Sequence, residues 1–289
     1  YASKARRLAV QDVRKGRLNI NQAASRYGVH RTTIWRWLKR ASLDHREFIE
    51  TKKSSPTSHP KQLSSEIVND IIKIRKENNR CAPVVHARMI RNGYKASLSS
   101  VERTLKRNHL TRKQKRTKGI RYKINRPSPV EYPGQLVEMD TIHLVRPDYS
   151  RFYIYTVIDV FTRLAHAYYS THFQQKVSFK VILKAQKIFG FNFDLVQTDN
   201  GHEFGISFQR KLLDNNIALR YTRIRKPNDN AHIERFNRTI QEELFRGNYP
   251  NEKYLNKKIS KYLKYYNESR LHLSLNCLTP REYVAKVLK

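Results

Sequence analysis

The segment Leu195-Val196-Gln197-Thr198-Asp199-Asn200-Gly201 contains the pattern on which the fold of this chain is decided. Its first four residues are mostly apolar or β-branched and predict a short strand. The Asp-Asn-Gly sequence that follows predicts a turn. Asp199 therefore stands directly after a predicted strand, and its carboxylate is the starting point for the interpretation of the rest of the chain.

Two further acids occupy comparable positions. Asp140 ends the stretch Leu136–Asp140, which we predict to be a strand, and Glu234 lies at the start of a helical pattern in Asn230–Asn237. Two aspartates on strands and one glutamate on a helix can converge at one sheet edge, as a cage of hard oxygen ligands. Such a cage suits Mg²⁺ or Mn²⁺ and phosphate-ester chemistry. On spacing alone, the three acids could equally be unrelated surface or capping residues.

The charge of the chain indicates which polymer would supply the phosphates. The 289 residues include 58 Lys+Arg and 24 Asp+Glu, which gives a formal net charge of +34. Residues 1–133 hold 33 of the basic and 9 of the acidic side chains. An enzyme of small metabolites does not need this imbalance, so we expect double-stranded DNA as the partner. A merely solubilising surface is the alternative.

Several other classes of protein are disfavoured. Cys81 and Cys277 form no Cys-x-x-Cys pair, no apolar run is long enough to span a membrane, and no signal peptide is visible. We therefore expect an intracellular protein without a membrane partner. The chain also lacks a phosphate-binding Gly-x-x-x-x-Gly-Lys loop, so we do not expect it to hydrolyse ATP.

From Gly134 onward, strands alternate with helices. Strands are predicted at Phe152–Ile158, Leu164–Tyr169, Leu195–Thr198 and Ile217–Thr222, and helices at Val177–Phe189 and Phe208–Asn215. This order predicts a mixed α/β sheet of the ribonuclease H type, followed by a basic helical segment.

The first fifty residues predict a helix-turn-helix DNA-binding domain. Lys4–Lys15 supplies a supporting helix, Ala24 a close helix crossing, and Gly28 a turn residue with positive φ. One face of the next helix is apolar, and a helical hairpin without function would show the same pattern. The other face would contact phosphates and base edges through His30, Arg31, Thr32, Thr33 and Arg36.

A second, weaker helix-turn-helix pattern covers residues 63–110. Pro83 is placed to begin one helix, Gly93 to end it, and Ser99-Ser100-Val101-Glu102 to cap the next. The basic residues of that last helix, which we assign to DNA, are Arg103, Lys106 and Arg107. A purely structural helical bundle remains the alternative.

Two segments are predicted to be linkers. Residues 51–62 are polar and contain Pro and Ser, and residues 111–133 are strongly basic before a group of prolines. The second linker would follow a DNA backbone, although a solvated tether is equally compatible with it. Its predicted DNA contacts are Arg112, Lys113, Lys115, Arg116 and Lys118. The predicted domains are residues 1–50, 63–110 and 134–247, with a helical extension at 248–289.

The motifs around the acids resemble those of the DDE transposase and retroviral-integrase superfamily, and specifically of bacterial insertion-sequence transposases. The resemblance covers about residues 134–285 and rests on three quoted motifs. These are Asp199-Asn200-Gly201-His202-Glu203-Phe204, Lys226-Pro227-x-x-Asn230-Ala231-x-x-Glu234-Arg235-Phe236-Asn237, and Tyr266-Asn267-x-x-Arg270-x-His272. Many relatives carry a basic residue seven positions after the glutamate, where this chain has Gln241; Arg238 is our candidate for that role.

The resemblance implies that Asp140, Asp199 and Glu234 are catalytic metal ligands, holding two Mg²⁺ or Mn²⁺ ions per site. It implies cleavage of DNA 3′ ends and strand transfer by a nucleoid-associated bacterial enzyme. Because two element ends must be joined, at least a dimer is expected on DNA. Arg225 and Lys226 are expected to contact DNA beside Glu234. The alternatives are a hydrolytic nuclease of the same fold and a DNA-binding protein derived from a transposase.

Four neighbouring residues could compete for these roles. Asp159 follows a predicted strand, but Thr162 and Arg163 favour a role in stabilising a turn. Glu203 lies four residues after Asp199 and is expected to point away from the acids. His202 and His232 could contact DNA, but we interpret both as helix-capping residues.

Overall fold

The computed structural model of the chain describes residues 3–41, 49, 62–111, 129–146, 148–223, 230–245 and 254–288. The chain divides into two compact units, Tyr1–Gln62 and Leu63–Lys289. Within the described residues, no helix is both long enough and apolar enough to cross a membrane.

The first unit contains three helices. They are α1 (Ser3–Arg14), α2 (Ile20–Arg26) and α3 (Arg31–Arg40). Asn19 caps α2 reciprocally with Gln22, because the side chain of each accepts the backbone amide of the other. Gly28 has a φ of 60° in the turn between α2 and α3, as predicted. Ile34 and Trp37 of α3 are buried in the core of the unit, so the opposite face of α3 is left to solvent.

The second unit begins with a three-helix bundle. Its helices are α4 (Ser65–Asn78), α5 (Ala82–Arg91) and α6 (Leu98–Arg107). The predicted cap of α6 at Ser99 is wrong. The cap is Ser97, whose hydroxyl accepts the Ser100 amide at 3.2 Å, so the helix begins before the predicted capping box. A serine lies at positions 97, 99 and 100, and Leu98 between them belongs to the first helical turn.

Five strands follow in one sheet. They are β1 (Val137–Val145), β2 (Arg151–Asp159), β3 (Ala165–Ser170), β4 (Leu195–Thr198) and β5 (Ala218–Tyr221), in the order β3-β2-β1-β4-β5. β1–β2 and β2–β3 are antiparallel, whereas β1–β4 and β4–β5 are parallel. The ribonuclease H-type sheet predicted from the sequence is therefore present. The predicted end of β1 at Asp140 is wrong, because pairing with β2 continues to Val145.

Helices cover both faces of this sheet. α7 (Gln175–Phe189) and α8 (Ile206–Leu213) pack on one face, and α9 (Ala231–Ile240) and α10 (Leu255–Glu268) on the other. A short π-helical turn, Gln241–Phe245, follows α9, and α11 (Pro280–Val287) closes the chain. β1 alternates between the two cores: Val137 and Met139 face α7 and α8, and Ile142 faces α9 and α10. By the same alternation, Glu138 and Asp140 face α9.

The carboxy-terminal motif has a structural role. Asn267 of α10 pairs with both backbone groups of Ala165, at 3.0 and 2.9 Å, and so joins α10 to the edge strand β3. Arg270 is buried, donates to both carboxylate oxygens of Glu243, and lies over the ring of Tyr266. These contacts hold α10 and the end of α9 against the sheet.

Arginines of the three-helix bundle contact the carboxy-terminal segment. Arg80 donates to the carbonyl of Leu271 at 3.0 Å, and Arg88 donates to the carbonyl of Ser269 at 3.1 Å. Arg91 makes two hydrogen bonds to the Glu282 carboxylate, at 2.9 and 2.8 Å. The bundle is thus attached to the same helices that cover the sheet.

Gly134 precedes β1 and cannot accept a side chain. Its φ is 83°, and a Cβ atom would overlap the backbone carbonyl of Asn192. Its amide donates to Asp159 and its carbonyl accepts from Asp194, both at 2.9 Å. Gly190 also has a left-handed backbone, with a φ of 87°, but a Cβ atom added there would meet no other atom within 4 Å. It is therefore a matched control for substitution of Gly134.

We expect Gly134→Ala to destabilise the protein more than Gly190→Ala. Both substitutions force a left-handed backbone on alanine, at about 1–2 kcal/mol, and only Gly134→Ala adds an overlap, at about 1–3 kcal/mol. Chemical denaturation of the two variants measures the difference in the free energy of unfolding. Equal losses would contradict the close approach of residues 134 and 192.

Candidate active site

The parallel pairing of β1 with β4 determines where two of the acids lie. Val137 pairs with Val196, and Glu138 with Gln197. If the same pairing is continued two residues beyond Glu138 and Gln197, Asp140 lies opposite Asp199. β4 ends at Thr198, so Asp199 leaves the sheet beside a strand that continues. The two aspartates are therefore neighbours at the carboxyl end of β4.

Two hydrogen bonds attach the helix of Glu234 to β1. Glu138 accepts the backbone amide of Ile233 at 2.8 Å, and the Asn237 side-chain amide donates to Asp140 at 2.7 Å. Because Ile233 and Asn237 lie on either side of Glu234 in α9, these bonds fix the helix beside Asp140. The third acid is thereby brought to the other two.

A third connection reaches the start of α9 from β4. The Gln197 side chain donates to Asn230 at 3.0 Å and accepts from Arg220 of β5 at 2.7 Å. Asn230 is the residue immediately before α9. A polar chain thus runs from β5 through β4 to the helix, and it is buried at Gln197 and Asn230.

The four acids near this edge act on one another electrostatically. The pKa of Asp140 is raised to about 6, first by burial and then by the charges of Asp199, Glu203 and Glu234, against a hydrogen bond from the Thr141 amide that lowers it. Burial also raises the pKa of Glu138 to about 7, against the backbone hydrogen bonds that lower it. A concentration of negative charge of this kind favours a proton or a cation.

The carboxylate oxygens of these acids are the donor type that hard divalent cations prefer. In this structure the carboxylates do not converge on a common position for an ion. No three His, Cys, Asp or Glu side chains of the described residues are arranged to hold a metal ion. Asp140 is held by Thr141 and Asn237, at 2.7 Å each. Asp199 and Glu234 are exposed, and Oδ1 of Asp199 accepts the Gly201 amide at 2.9 Å. The residues fit Mg²⁺ or Mn²⁺ in donor type.

Comparison with known families identifies this half of the chain. An integrase core domain model matches residues 131–227, and a second integrase core domain model matches residues 215–280. Residues 131–280 are an integrase core domain. A helix-turn-helix model of the Psq type matches residues 7–43, which contain α1, α2 and α3. The chain therefore joins a helix-turn-helix of the Psq type to an integrase core.

Individual relatives agree with this assignment. A putative integrase, ORF3 of Spiroplasma virus SpV1-C74, is 31% identical over 170 residues, which cover 52% of this chain and 47% of that protein. The chain thus spans about half the length of this relative. A 31.7 kDa protein of insertion element IS407 from Burkholderia multivorans is 25% identical over 206 residues, covering 70% of this chain and 74% of that protein.

Among solved structures, the catalytic core domain of HTLV-2 integrase in complex with magnesium matches with a TM-score of 0.43 and 18% identity. The match covers 52% of this chain and 96% of that chain.

The integrase core contradicts one expectation about its acids. Glu203, expected to point away, is 4% exposed; its charge raises the pKa of Asp140, and the charge of Asp199 raises the pKa of Glu203. It lies in a short 3₁₀ turn, His202–Phe204, which carries its side chain back toward the sheet. Asp159, by contrast, has the predicted turn-stabilising role, since it accepts hydrogen bonds from Gly134 and from the amide and hydroxyl of Thr162.

The two histidines beside the acids differ from each other. His202 is exposed at the start of the 3₁₀ turn, where it makes no capping hydrogen bond. Burial and, to a smaller extent, the charge of Arg163 lower the pKa of His232 to about 4. His232 is therefore uncharged near neutral pH.

The predicted DNA-contact residues of the helices are all at or near the surface. In α3, Arg31, Thr32 and Arg36 are exposed and Thr33 is half-buried, whereas the His30 ring accepts the Thr32 amide and caps the helix. The basic residues of α6 and Arg238 of α9 are also exposed; they are Arg103, Lys106, Arg107 and Arg238. The remaining predicted contacts, Arg112, Lys113, Lys115, Arg116, Lys118, Arg225 and Lys226, lie outside the described residues.

Sequence reasoning missed three residues. Trp35 of α3 is 54% exposed between the predicted contact residues, and Lys39 lies over its ring. Glu138 and Asn237 hold the helix of Glu234 against β1. A signal for both was present in the spacing, because residue 138 shares the strand face of Asp140 and residue 237 lies about one helical turn after Glu234.

We expect the stability of Glu138→Gln, relative to that of the wild type, to increase as pH rises. Between the ordinary pKa of 4.5 and the folded pKa of about 7, the folded protein keeps a proton that the unfolded chain releases. The stability contributed by Glu138 is therefore lost as pH rises through this range, and glutamine does not titrate. Between pH 5 and pH 8, the free energy of unfolding of the variant should rise relative to that of the wild type by roughly 1–3 kcal/mol. Chemical denaturation of both metal-free proteins at the two pH values measures this change.

Glu138→Ala is the matched control for this prediction. It removes the acceptor of the Ile233 amide as well as the charge, so it should destabilise the protein at both pH values. A difference between Glu138→Gln and wild type that does not change with pH would contradict the raised pKa.

Proposed function

We propose that the chain is a DDE-type DNA transposase. In this proposal it binds the terminal repeats of a mobile element, cleaves their 3′ ends and transfers them into target DNA. The observation that carries the proposal is the convergence of Asp140, Asp199 and the helix of Glu234 at one sheet edge of an integrase core. The attached helix-turn-helix and the net charge of +34 support DNA as the substrate.

The three acids are proposed as ligands of two divalent cations. When bound, Mg²⁺ or Mn²⁺ ions supply Lewis acidity that activates the attacking hydroxyl and stabilises the leaving oxygen. Asp140 would be the fixed ligand, since Thr141 and Asn237 hold its carboxylate. Asp199 and Glu234, both exposed, would complete the site when cations and the scissile phosphate arrive.

The exposed arginines are proposed to divide the binding of DNA. α3 would enter a major groove and read the terminal repeat, and α6 would contact the phosphate backbone. Arg238 lies one helical turn after Glu234 and would hold the DNA strand beside the acids. Because one chain carries one set of three acids and two ends must be joined, at least a dimer on DNA is proposed.

The decisive activity is joining rather than nicking. Given a pre-cut end with a free 3′-hydroxyl, a target duplex and Mg²⁺, the protein should join the two covalently without ATP. Asp140→Asn, Asp199→Asn and Glu234→Gln should each abolish nicking and joining while DNA binding stays nearly intact, because only the ligands of the cations are lost. Glu242→Gln, an exposed acid outside the site, is the control and should retain both activities.

The outcomes of this assay separate the candidate functions. Nicks that accumulate without joining would show a hydrolytic nuclease, and binding without either reaction would show a DNA-binding protein. Near-normal cleavage by one of the three variants would mean that the acid at that position is not a ligand.

A separate prediction concerns sequence recognition by α3. Arg36→Ala should weaken binding to the cognate repeat by about 1–3 kcal/mol and binding to random DNA much less, since a base contact is lost. Arg26→Ala, an exposed arginine of α2, should weaken both alike if it contacts only phosphates. Electrophoretic mobility shifts at fixed salt measure both losses. An equal loss on both DNAs for Arg36→Ala would contradict its role in recognition.

A further inference from the structure

Glu203 presents a buried carboxylate oxygen that nothing in the described structure satisfies. The residue is 4% exposed, and its Oε2 atom has no hydrogen-bond partner. An unpaired charge in such a position costs free energy, and most buried polar atoms avoid this by finding a partner or an ion. The atom therefore requires an explanation.

The unsatisfied oxygen points toward the acid at the end of β4. Gly201 separates the two carboxylates, and a Cβ atom on Gly201 would lie 2.9 Å from Oδ1 of Asp199 and closer still to Oε2 of Glu203. The φ of Gly201 is −63°, which any residue can adopt, so the glycine is needed here for space. The Asp199 and Glu203 carboxylates thus approach the same small volume from two sides.

The fold holds Glu203 in this orientation. Ser178 of α7 donates to the Glu203 carbonyl at 2.9 Å, and the next residue, Phe204, is fully buried. The hydroxyl of Tyr221 donates to the Phe204 carbonyl at 2.7 Å. These contacts attach the backbone of the turn to α7, β5 and the core, and so fix the position from which the buried Glu203 side chain extends.

Charge compensation for Glu203 is weak. Burial raises the pKa of Glu203 and the charge of Asp199 raises it further, whereas hydrogen bonds from its own backbone amide and from the Thr141 hydroxyl, and the charge of His143, lower it. Glu203 has no ion pair with any Lys or Arg among the described residues. A buried acid that lies beside a second acid and has no cationic side chain paired with it is a position for a cation.

We infer that Glu203 is a fourth carboxylate of the divalent-cation site, binding one ion together with Asp199 through its unsatisfied Oε2 atom. This inference rests on the proposed function, and it adds a ligand that the three-acid motif does not contain. In the resulting site Asp140 and Glu203 are the half-buried and buried acids, and Asp199 and Glu234 are the exposed ones.

Two measurements on the metal-free 289-residue chain test this inference. The first is its melting temperature, and the second is its affinity for added Mn²⁺, followed by electron paramagnetic resonance. Glu203→Gln keeps the shape of the side chain and removes its charge. It should weaken Mn²⁺ binding at least about tenfold and raise the melting temperature of the metal-free protein, because a buried unpaired charge is lost. Glu203→Ala should weaken Mn²⁺ binding similarly. Glu242→Gln should change neither quantity.

The other outcomes overturn the inference. If Glu203→Gln lowers the melting temperature of the metal-free protein and leaves Mn²⁺ affinity unchanged, Glu203 has a structural role. If it raises the melting temperature and affinity is unchanged, Glu203 is a buried unpaired acid outside the metal site. Normal joining of pre-cut ends by Glu203→Gln with unchanged Mn²⁺ affinity would remove the inference and leave the proposed function standing. Absence of Mn²⁺ binding by wild type would instead count against the proposed function.

Discussion

The register between β1 and β4 is the constraint on which the rest of the site depends. With Val137 opposite Val196, the end of β4 places Asp199 level with Asp140. A slip of one residue would turn every side chain of β4 to the opposite face of the sheet. Such a slip would remove Val196 from the core against α7 and α8 and would break the buried chain from Arg220 through Gln197 to Asn230. Packing and polar contacts therefore fix the same register, and with it the distance between the acids.

The helix of Glu234 depends on the same strand. Because residues 138 and 140 share a face of β1, one strand both carries Asp140 and anchors the helix of Glu234 through Glu138 and Asn237. Asp140 and Glu203 are half-buried and buried, whereas Asp199 and Glu234 are exposed. The proposed ligands therefore lie on elements whose backbones are fixed by the sheet, while their carboxylates are not closed around an ion. The three-helix bundle and the carboxy-terminal motif support this arrangement from outside, by holding α10 and the end of α9.

Much of the sheet and of the positions of its acids could be predicted from the sequence, because strands, and acids next to them, are recognised from patterns of neighbouring residues. The strand at Leu195–Thr198 was predicted with its observed bounds, and the ribonuclease H-type sheet followed from the order of elements. The end of β1 was not predictable, since Ile142 and Leu144 continue the strand only because β2 pairs with them. The direction of Glu203 depends on a 3₁₀ turn held by Ser178 and Tyr221, which are distant in sequence. Local periodicity contains no information about such contacts.

Crystals of the protein soaked in Mn²⁺ would test the central claim most directly, through anomalous scattering at the manganese edge. The account predicts anomalous density at the carboxyl end of β4, with an ion at about 2.1 Å from oxygens of Asp140 and Asp199. Manganese bound elsewhere, with the Asp140 and Asp199 carboxylates left as they are in the metal-free protein, would contradict it.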